Sequence, residues 1–499
     1  TPAHSTPAHS TTPRLTRARL KSAPAIALLL PALLAGCMSM SGLHTTAEPM
    51  EANQLQAGRT LGSATSADWP HVDWWKVYGD AQLDALIEEG LANSPTLRIA
   101  QDHVRKALAV AQAAGAVRTP NISASLNMNR QRFSENYIYP PGFGGEWFTM
   151  SQLELDFSYD LDLFGRYRSA YAGALDEAQA TQVDQYAAQL LLSTSIARAY
   201  VQLQLAYEQR DIAVALLEQR QHFLELTALR VREGLDSDIA QKQAEATIPD
   251  SRQQITRFDE TIALTRNQLA ALAGRGPDRG LDITPPKLKA PSGAALPSYL
   301  PADLLGRRPD VAAQRLRVSE AAENITVAKA DFYPDINIAA FAGLQSLGLS
   351  DLLKGSSTIL GVGPAINLPI FHGGTSRANL AGKNADYDLA VDQYNQALVD
   401  ALHDVADQLA SLKSTDAQRV DLDRAIATAR ETVELSQTRY QAGLDNYLQV
   451  ITAQEQLLAQ QNLDADLRAR ALDFSISLIR ALGGGFDPSS TAPNSEKEN

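Results

Sequence analysis

A single cysteine, Cys37, stands in a chain of 499 residues, so no disulfide framework can hold this protein together. Nowhere do about 18 apolar residues run consecutively, which removes any transmembrane-helix candidate. Positive charge is short as well: 44 Lys and Arg face 57 Asp and Glu, giving a formal net charge of −13 and a pI near 5.2. Such a surface does not attract a nucleic-acid backbone, and nucleic acid is not expected as a partner. Catalytic machinery is not recognisable either. The eight histidines are scattered without an H-E-x-x-H pair, and His103, His222 and His403 fall within helical stretches as surface or packed residues. Gly483-Gly484-Gly485 lacks the Lys-Ser/Thr of a phosphate loop. Neither an enzyme nor a metal site is expected. What the chain does have is a 44% hydrophobic composition, ample for a core and incompatible with general disorder.

The lone cysteine ends an address signal. Arg14, Arg17, Arg19 and Lys21 form a basic region, and residues 23–33 supply an apolar stretch too short to span a bilayer. Leu34-Ala35-Gly36-Cys37 then resembles a bacterial lipobox, with cleavage between Gly36 and Cys37. Small residues before the cut fit a peptidase, and the Cys37 thiolate takes a diacylglyceryl chain, the only covalent group expected here. Losing residues 1–36 takes the charge from −13 to −17. The stretch before Arg14, with TPAHS twice and no starting Met, is left out of the fold. Met38 occupies the place where the inner-membrane retention signal would put Asp, so an outer-membrane destination is expected. An ordinary secretory signal with an incidental cysteine is the alternative.

Self-comparison reveals a tandem duplication. Ser94-Pro95-Thr96-Leu97 matches Arg308-Pro309-Asp310-Val311, and Pro120-Asn121-Ile122 matches Pro334-Asp335-Ile336, both at an offset of 214. Leu163-Phe164 matches Ile370-Phe371, Arg230 with Gly234-Leu235-Asp236 matches Arg439 with Gly443-Leu444-Asp445, and Ala271-Leu272 matches Ala481-Leu482, at offsets of 207 to 210. A proline-rich connector over 274–305 separates the copies. The organisation expected is a signal at 1–36, a lipid-anchored segment at 37–79, repeats at 80–274 and 303–484 joined by 275–302, and a flexible tail at 485–499.

Each copy runs helix, strand, strand, long helix, return helix. Helical stretches at 80–117 and 303–330 precede a proline. Ile122, Ala124, Leu126 and Met128 alternate with polar residues, as do Leu153, Leu155, Phe157, Tyr159 and Leu161 with Glu154, Asp156, Ser158 and Asp160. The second copy is weaker, and Pro364 and Pro369 should loosen its last strand. A coiled-coil seam follows at Leu192, Ile196, Ala199, Leu203, Ala206, Ala213, Leu217 and Leu224. It recurs from Ala401 through Val405, Gln408, Leu412 and Leu422 to Val433. A helix over 164–232 would reach about 100 Å. Pro249 should kink or break the first return helix.

Four strands cannot close a barrel, and open edges are forbidden in lipid. Three copies would supply twelve strands and close it, so a homotrimer is expected, with Tyr137, Tyr139, Phe143, Trp147, Phe148, Phe332 and Tyr333 as candidates for an interfacial girdle. Jointly, Trp74-Trp75-x-x-Tyr78-Gly79-Asp80, Leu161-Asp162-Leu163-Phe164-Gly165-Arg166, Arg308-Pro309-Asp310-Val311 and Arg439-Tyr440-x-x-Gly443 resemble TolC-like outer-membrane efflux proteins over 69–484. The lipobox points to their lipoprotein branch, the NodT group serving RND pumps. This resemblance implies a mainly α fold with a small transmembrane β part: a twelve-helix periplasmic α-barrel and a twelve-stranded β-barrel in the outer membrane. It also implies a periplasmic membrane-fusion adaptor, an inner-membrane RND pump and small-molecule export. One departure is His372-Gly373-Gly374, where the first copy reads Gly165-Arg166 and the bend into the helix must differ.

Gly234 and Gly443 should turn the two helical hairpins, with Asp236, Asp238 and Asp445 beside them as N-terminal caps of the returning helices. In the family such tips form the closed periplasmic entrance, and by that resemblance Asp445 is the first candidate for an acidic ring around a pore. Two other functions compete: the outer-membrane duct of a type I protein-secretion system, and a lipid-anchored periplasmic coiled-coil scaffold, which would have no use for the alternating hairpins. Mass spectrometry of the mature N-terminus should show an acylated Cys37; an unmodified start elsewhere would defeat the lipobox reading.

Overall fold

The computed structural model describes residues 39–487, apart from 52–53, 56–57, 62–64, 67, 139, 290–294, 297–305 and 371–372. Gly36, Cys37, Tyr139, Phe371 and His372 lie outside the described residues. Along the chain run α1 (Ala81–Asn93), α2 (Pro95–Ala116), β1 (Asn121–Arg132), β2 (Trp147–Asp160), α3 (Arg166–Arg232) and α4 (Asp238–Leu272). The second copy supplies α5 (Pro309–Ala330), β3 (Asp335–Leu347), β4 (Thr358–Asn367), α6 (Thr375–Gln441) and α7 (Tyr447–Ala481). Both ends of α3 and of α4 recur 209 residues later in α6 and α7. The two long helices have 67 residues each, about 100 Å at 1.5 Å per residue. The chain forms two compact units that cut across the repeats, one holding Ile122–Phe164 and Ala328–Gly382, the other Thr45–Asn121, Gly165–Val327 and Lys383–Asn499.

The first unit is a four-stranded sheet in the order β1-β2-β3-β4. β2 pairs antiparallel with β3 from Met150–Leu347 to Asp160–Asn337, and β3 pairs antiparallel with β4. β1 and β4 are its edges. Leu153 and Leu155 are exposed while Glu154 and Asp156, which follow them in turn, are partly covered, the period of two that alternation requires. Pro364 does not loosen β4 as expected. It stays in the ladder opposite Ile338, because an edge strand has one side on which a missing N–H donor costs little. At one candidate girdle Phe143 and Phe148 pack on each other with Phe133, and Phe164 stacks on Tyr333 at 4.6 Å. The bend before α6 uses two left-handed glycines, Gly373 and Gly374, where the bend before α3 uses Gly165 alone.

The second unit is helical. The stretch expected as one helix over 80–117 is two, α1 and α2, divided at Ser94, whose extended backbone (φ −60°, ψ 126°) is the conformation a following proline imposes. The expected seam is buried at Leu192, Ile196, Ala199, Leu203, Ala206 and Ala213. It then moves over by one residue, to Leu216, Arg220, Phe223 and Thr227 in place of Leu217 and Leu224. Here the buried side is the one that meets the return helices: Phe223 packs with Ala240, Ala244, Tyr447 and Val450, and Arg220 reaches Thr247 and Ser251. In α6 likewise Leu409 is buried and Gln408 only partly so. Pro249 does not break α4, which continues from Asp238 to Leu272. The proline is exposed, and its buried neighbours Thr247, Ile248 and Ser251 hold the helix in place on either side of it.

The main core joins Trp74, Trp75, Tyr78, Leu83 and Ile87 to Ile196, Tyr200 and Leu203 of α3, Leu269 of α4 and Ile476 of α7. Asp80 explains the end of its motif: Oδ1 accepts from Gln82 N at 2.9 Å as the cap of α1, and Oδ2 accepts from Tyr200 Oη at 3.0 Å and Lys287 N at 2.8 Å. Arg308 similarly donates to Asp310 at 2.6 Å and Asp404 at 3.1 Å. Burial alone would raise Asp310, but the bond and charge of Arg308 hold its carboxyl below the usual range.

Gly483-Gly484-Gly485, no phosphate loop, is a packing knot. All three have positive φ, and a Cβ would overlap the backbone of Arg307 at 483, Leu190 at 484 and the backbone of His71 and Val72 at 485. The expected tail therefore begins later than residue 485: Phe486 is buried, 5.5 Å from the Tyr186 ring. Gly485→Ala should lose roughly 2 kcal/mol or more from strain and overlap, read as a lower midpoint in denaturant. Gly276→Ala, with φ −70° and open space around its Cβ, should be close to neutral in the same assay.

Candidate functional site

The two hairpin tips, both in the helical unit, are built alike. At each, the residue after glycine returns a hydrogen bond to the helix: Leu235 N to Arg230 O at 2.8 Å and Leu444 N to Arg439 O at 2.9 Å. Gly234 at φ 71° and Gly443 at φ 74° supply the left-handed residue this helix ending needs. The helix caps differ from expectation. Ser237 Oγ accepts from Ala240 N and Asn446 Oδ1 from Gln449 N, so these residues, one after each aspartate, cap α4 and α7. Asp236 and Asp445 instead accept from the N–H of the very next residue, at 2.8 and 2.9 Å. Asp238 is the first residue of α4, where a negative charge suits the helix dipole.

Releasing the aspartates from capping leaves each facing an arginine six residues earlier. Arg230 Nε lies 3.6 Å from Asp236, and Arg439 Nε lies 3.3 Å from Asp445. The pairs then diverge. The side chains of Arg230 and Asp236 are 15% and 17% exposed, against 59% and 27% for Arg439 and Asp445. What shields the first pair is Tyr440 of the other hairpin, whose Oη donates to Asp236 Oδ2 at 2.8 Å and sits 3.0 Å from Thr227 Oγ1. Arg230 lies over the Tyr440 ring at 4.9 Å and donates to Gln441 O at 3.2 Å. Beneath this, Phe223, Ala240, Ala244, Tyr440, Tyr447 and Val450 form a small core joining α3, α4, α6 and α7.

Asp236 thus ties the two hairpins together, whereas Asp445, the first candidate from sequence, stays within its own tip. Arg230 and Tyr440 stand in the sequence only as repeat and family-motif residues, with no role at the tips, and Thr227 carries no pattern at all. A signal existed: at the 209 offset Tyr440 falls on Val231, the one position of the matched tip where a phenol replaces an aliphatic group. Burial, and next to it the contact with Asp236, pushes the Tyr440 hydroxyl up from its ordinary value. A raised value means the link is fully present below the unfolded tyrosine value near 10 and is lost only as pH rises through the raised one.

Next to the expected lipidation site, the described chain begins at Ser39. Within the sheet-containing unit Arg377 donates to the carbonyls of Ser39 and Ser41. Within the helical unit Asp388 accepts from Thr46 N at 2.9 Å, Thr46 Oγ1 at 2.8 Å and Ala47 N at 3.0 Å. Asn395 accepts from Met50 N at 2.7 Å and donates to Glu48 O at 3.1 Å. Within the helical unit, Asp388 and Asn395 of α6 therefore hold residues 46–50.

Comparison with known proteins agrees with this architecture. A family model described as outer membrane efflux protein matches residues 86–275 and 300–484. The fusaric acid resistance protein FusA of Burkholderia cepacia is 41% identical over 370 residues, 73% of this chain and 70% of that protein. The multidrug resistance outer membrane protein MdtP of Escherichia coli (strain K12) is 31% identical over 462 residues, 91% of this chain and 94% of its own. Among solved structures, the outer membrane protein VceC of Vibrio cholerae superimposes with a TM-score of 0.80 at 37% identity, covering 84% of this chain and all of that one.

Tyr440→Phe should cost about 1–3 kcal/mol at the tips, since it strips a carboxylate of a buried partner. Amide exchange over residues 231–238 and 441–447 should accelerate while the main core is unchanged. Arg439→Ala, breaking only the exposed pair, should cost at most about 1 kcal/mol.

Proposed function

The chain belongs to the outer membrane efflux protein family, whose members are outer-membrane channels and not enzymes, and on that premise we propose that it is the exit duct of a tripartite pump for small molecules. Three copies would close three four-stranded sheets into a twelve-stranded barrel in the outer membrane and gather twelve helices into a periplasmic tunnel. The observation carrying this reading is the sheet itself. Its edges β1 and β4 have no strand on one side among the described residues, and Ile122, Leu126, Leu155, Leu360, Val362 and Ile366 are exposed along it. An apolar stripe with open backbone edges is stable in lipid only if further strands pair with those edges.

Lipidation at Cys37 and anchorage to the outer membrane complete the reading, with the Arg377, Asp388 and Asn395 contacts guiding the chain that leads from the anchor. Leu235 and Ile239 at one tip, and Leu444 and Leu448 at matching places on the other, are exposed and suit docking of an apolar-tipped periplasmic adaptor, which in turn meets an inner-membrane RND pump. The names of the relatives, resistance proteins for fusaric acid and for multiple drugs, favour small-molecule efflux over type I protein secretion. The tips are the gate in this reading. Asp236 and Tyr440 latch the hairpins of one copy, and Asp445 contributes one carboxylate of a three-fold ring.

Native mass spectrometry in detergent should give three chains, and a folded, membrane-inserted monomer would defeat the closure argument. In planar bilayers a trivalent cation added at the periplasmic end should block the pore. Asp445→Ala should weaken that block, and an unchanged block rules out the ring at this position. Tyr440→Phe should raise the open fraction without changing the block per open channel.

A further inference from the structure

Arg220 is a buried charge that nothing in the duct reading uses. It sits on α3 one turn before Phe223 and is only 4% exposed. Its Nη1 donates to Thr247 O at 3.2 Å and Ser251 Oγ at 3.0 Å on α4. Both partners are neutral. Its Nε has no hydrogen-bond partner among the described residues, and Glu455, Tyr447 and Asp250 act on it through charge without a hydrogen bond. Burial pulls the guanidinium below its ordinary value, yet arginine does not give up its proton in a protein. A buried charge with no carboxylate in ion-pair contact is costly.

Two further polar side chains with unmatched atoms lie on the same seam. Tyr447 is 1% exposed and its Oη has no partner; Gln454 is 2% exposed and neither end of its amide has one. They are seven residues apart on α7, two turns along one face. Tyr447 stacks on Phe223 with ring centroids 6.0 Å apart and feels the charge of Arg220. Burial, first, raises the Tyr447 hydroxyl to about 12, so it remains a neutral O–H donor. The unmatched groups of all three residues include N–H or O–H donors. What is missing is an acceptor that also carries negative charge.

The duplication supplies an independent check. At the 209 offset Arg220 falls on Ala429, also buried. The second copy fills the same place with a methyl group, so the helical hairpin does not need a cation there to pack. The charge belongs to one seam only.

We propose that Arg220, Tyr447 and Gln454 enclose a buried site for a small monovalent anion of the chloride class, at the seam of α3, α4 and α7 beneath the hairpin tips. One guanidinium balances one negative charge, so sulfate or phosphate would leave the interior with excess charge. Nε–H of Arg220, Oη–H of Tyr447 and the amide hydrogens of Gln454 are the ligands, and Oε1 of Gln454 accepts from a water in the ion's shell. The site stands whether or not the duct reading does.

The test uses the full chain in detergent. Crystals grown in bromide should show an anomalous peak beside Arg220 Nε. At constant ionic strength balanced with gluconate, chloride at about ten times its Kd should slow amide exchange around residues 216–224 and 447–454 by about tenfold. Tyr447→Phe keeps the ring packing and removes one ligand, so it should raise the half-saturating chloride by about tenfold. Arg220→Met should abolish both the peak and the chloride effect. A water in place of the bromide peak overturns the site, as does a chloride effect that Tyr447→Phe leaves unchanged. If Arg220→Met does not fold, the bromide peak and Tyr447→Phe decide alone. A peak that persists in Tyr447→Phe with no chloride effect on exchange marks an adventitious ion only and also overturns it.

Discussion

Burial of one stripe along each 67-residue helix is the interaction on which the helical unit depends. Helix propensity cannot hold such lengths in place, because an isolated helix of any sequence frays and its stability in a protein comes from packing one face. Leu192, Ile196, Leu203 and Ala206 on α3, and Ala401, Val405, Leu409 and Leu412 on α6, are that face. The return helices pack against it, and the segment containing Trp74, Trp75 and Tyr78 closes over it at the main core. Small residues such as Ala199, Ala206 and Ala213 let neighbouring backbones approach. The drift of the stripe then decides what reaches the tips: by Arg220 and Thr227 the buried face is no longer purely apolar.

Duplication gives the tips a common design, and its breaking gives them different tasks. The turn, the glycine, the cap one residue beyond the aspartate and the Arg–Asp pair recur in both hairpins. A phenol at 440 where the first copy has Val231 brings one aspartate into contact with the other hairpin. The arginine paired with that aspartate is covered while the arginine of the twin pair stays exposed. Water screens an exposed pair and leaves it weak, whereas a carboxylate shielded by a tyrosine and an arginine is held by each of them more strongly. The phenol of Tyr440, in the second tip, turns the local ion pair of the first into a latch.

The sheet obeys a different constraint. Its pairing is complete inside and unfinished outside, since among the described residues β1 and β4 each have one side without a neighbouring strand. Edge position explains why Pro364 is accepted within β4. The same unpaired edges are the physical reason for proposing that copies of this chain complete one another in lipid.

Much of this was legible in the residues alone. The period of two in Leu153, Leu155 and Phe157, the drifting period near 3.5 from Leu192 to Ala213, and glycines at 234 and 443 sufficed for strands, long helices and turns, because each is a local rule about which face of a segment is apolar or which residue tolerates positive φ. Five short matches likewise disclosed a duplication whose helix ends coincide at a single offset. The sequence also supplied Cys37 as a chemical expectation. Tertiary structure alone decided the rest. Pro249 was tolerated because its side of α4 is exposed and its neighbours are held; Ser237 and Asn446 took the capping role from the aspartates; and Gly483 to Gly485 became a knot where three segments meet. Asp236 rather than Asp445 became the shared residue through a contact spanning 204 positions of chain. No local pattern encodes such a contact, since its energy depends on which side chains from distant segments are excluded from water together.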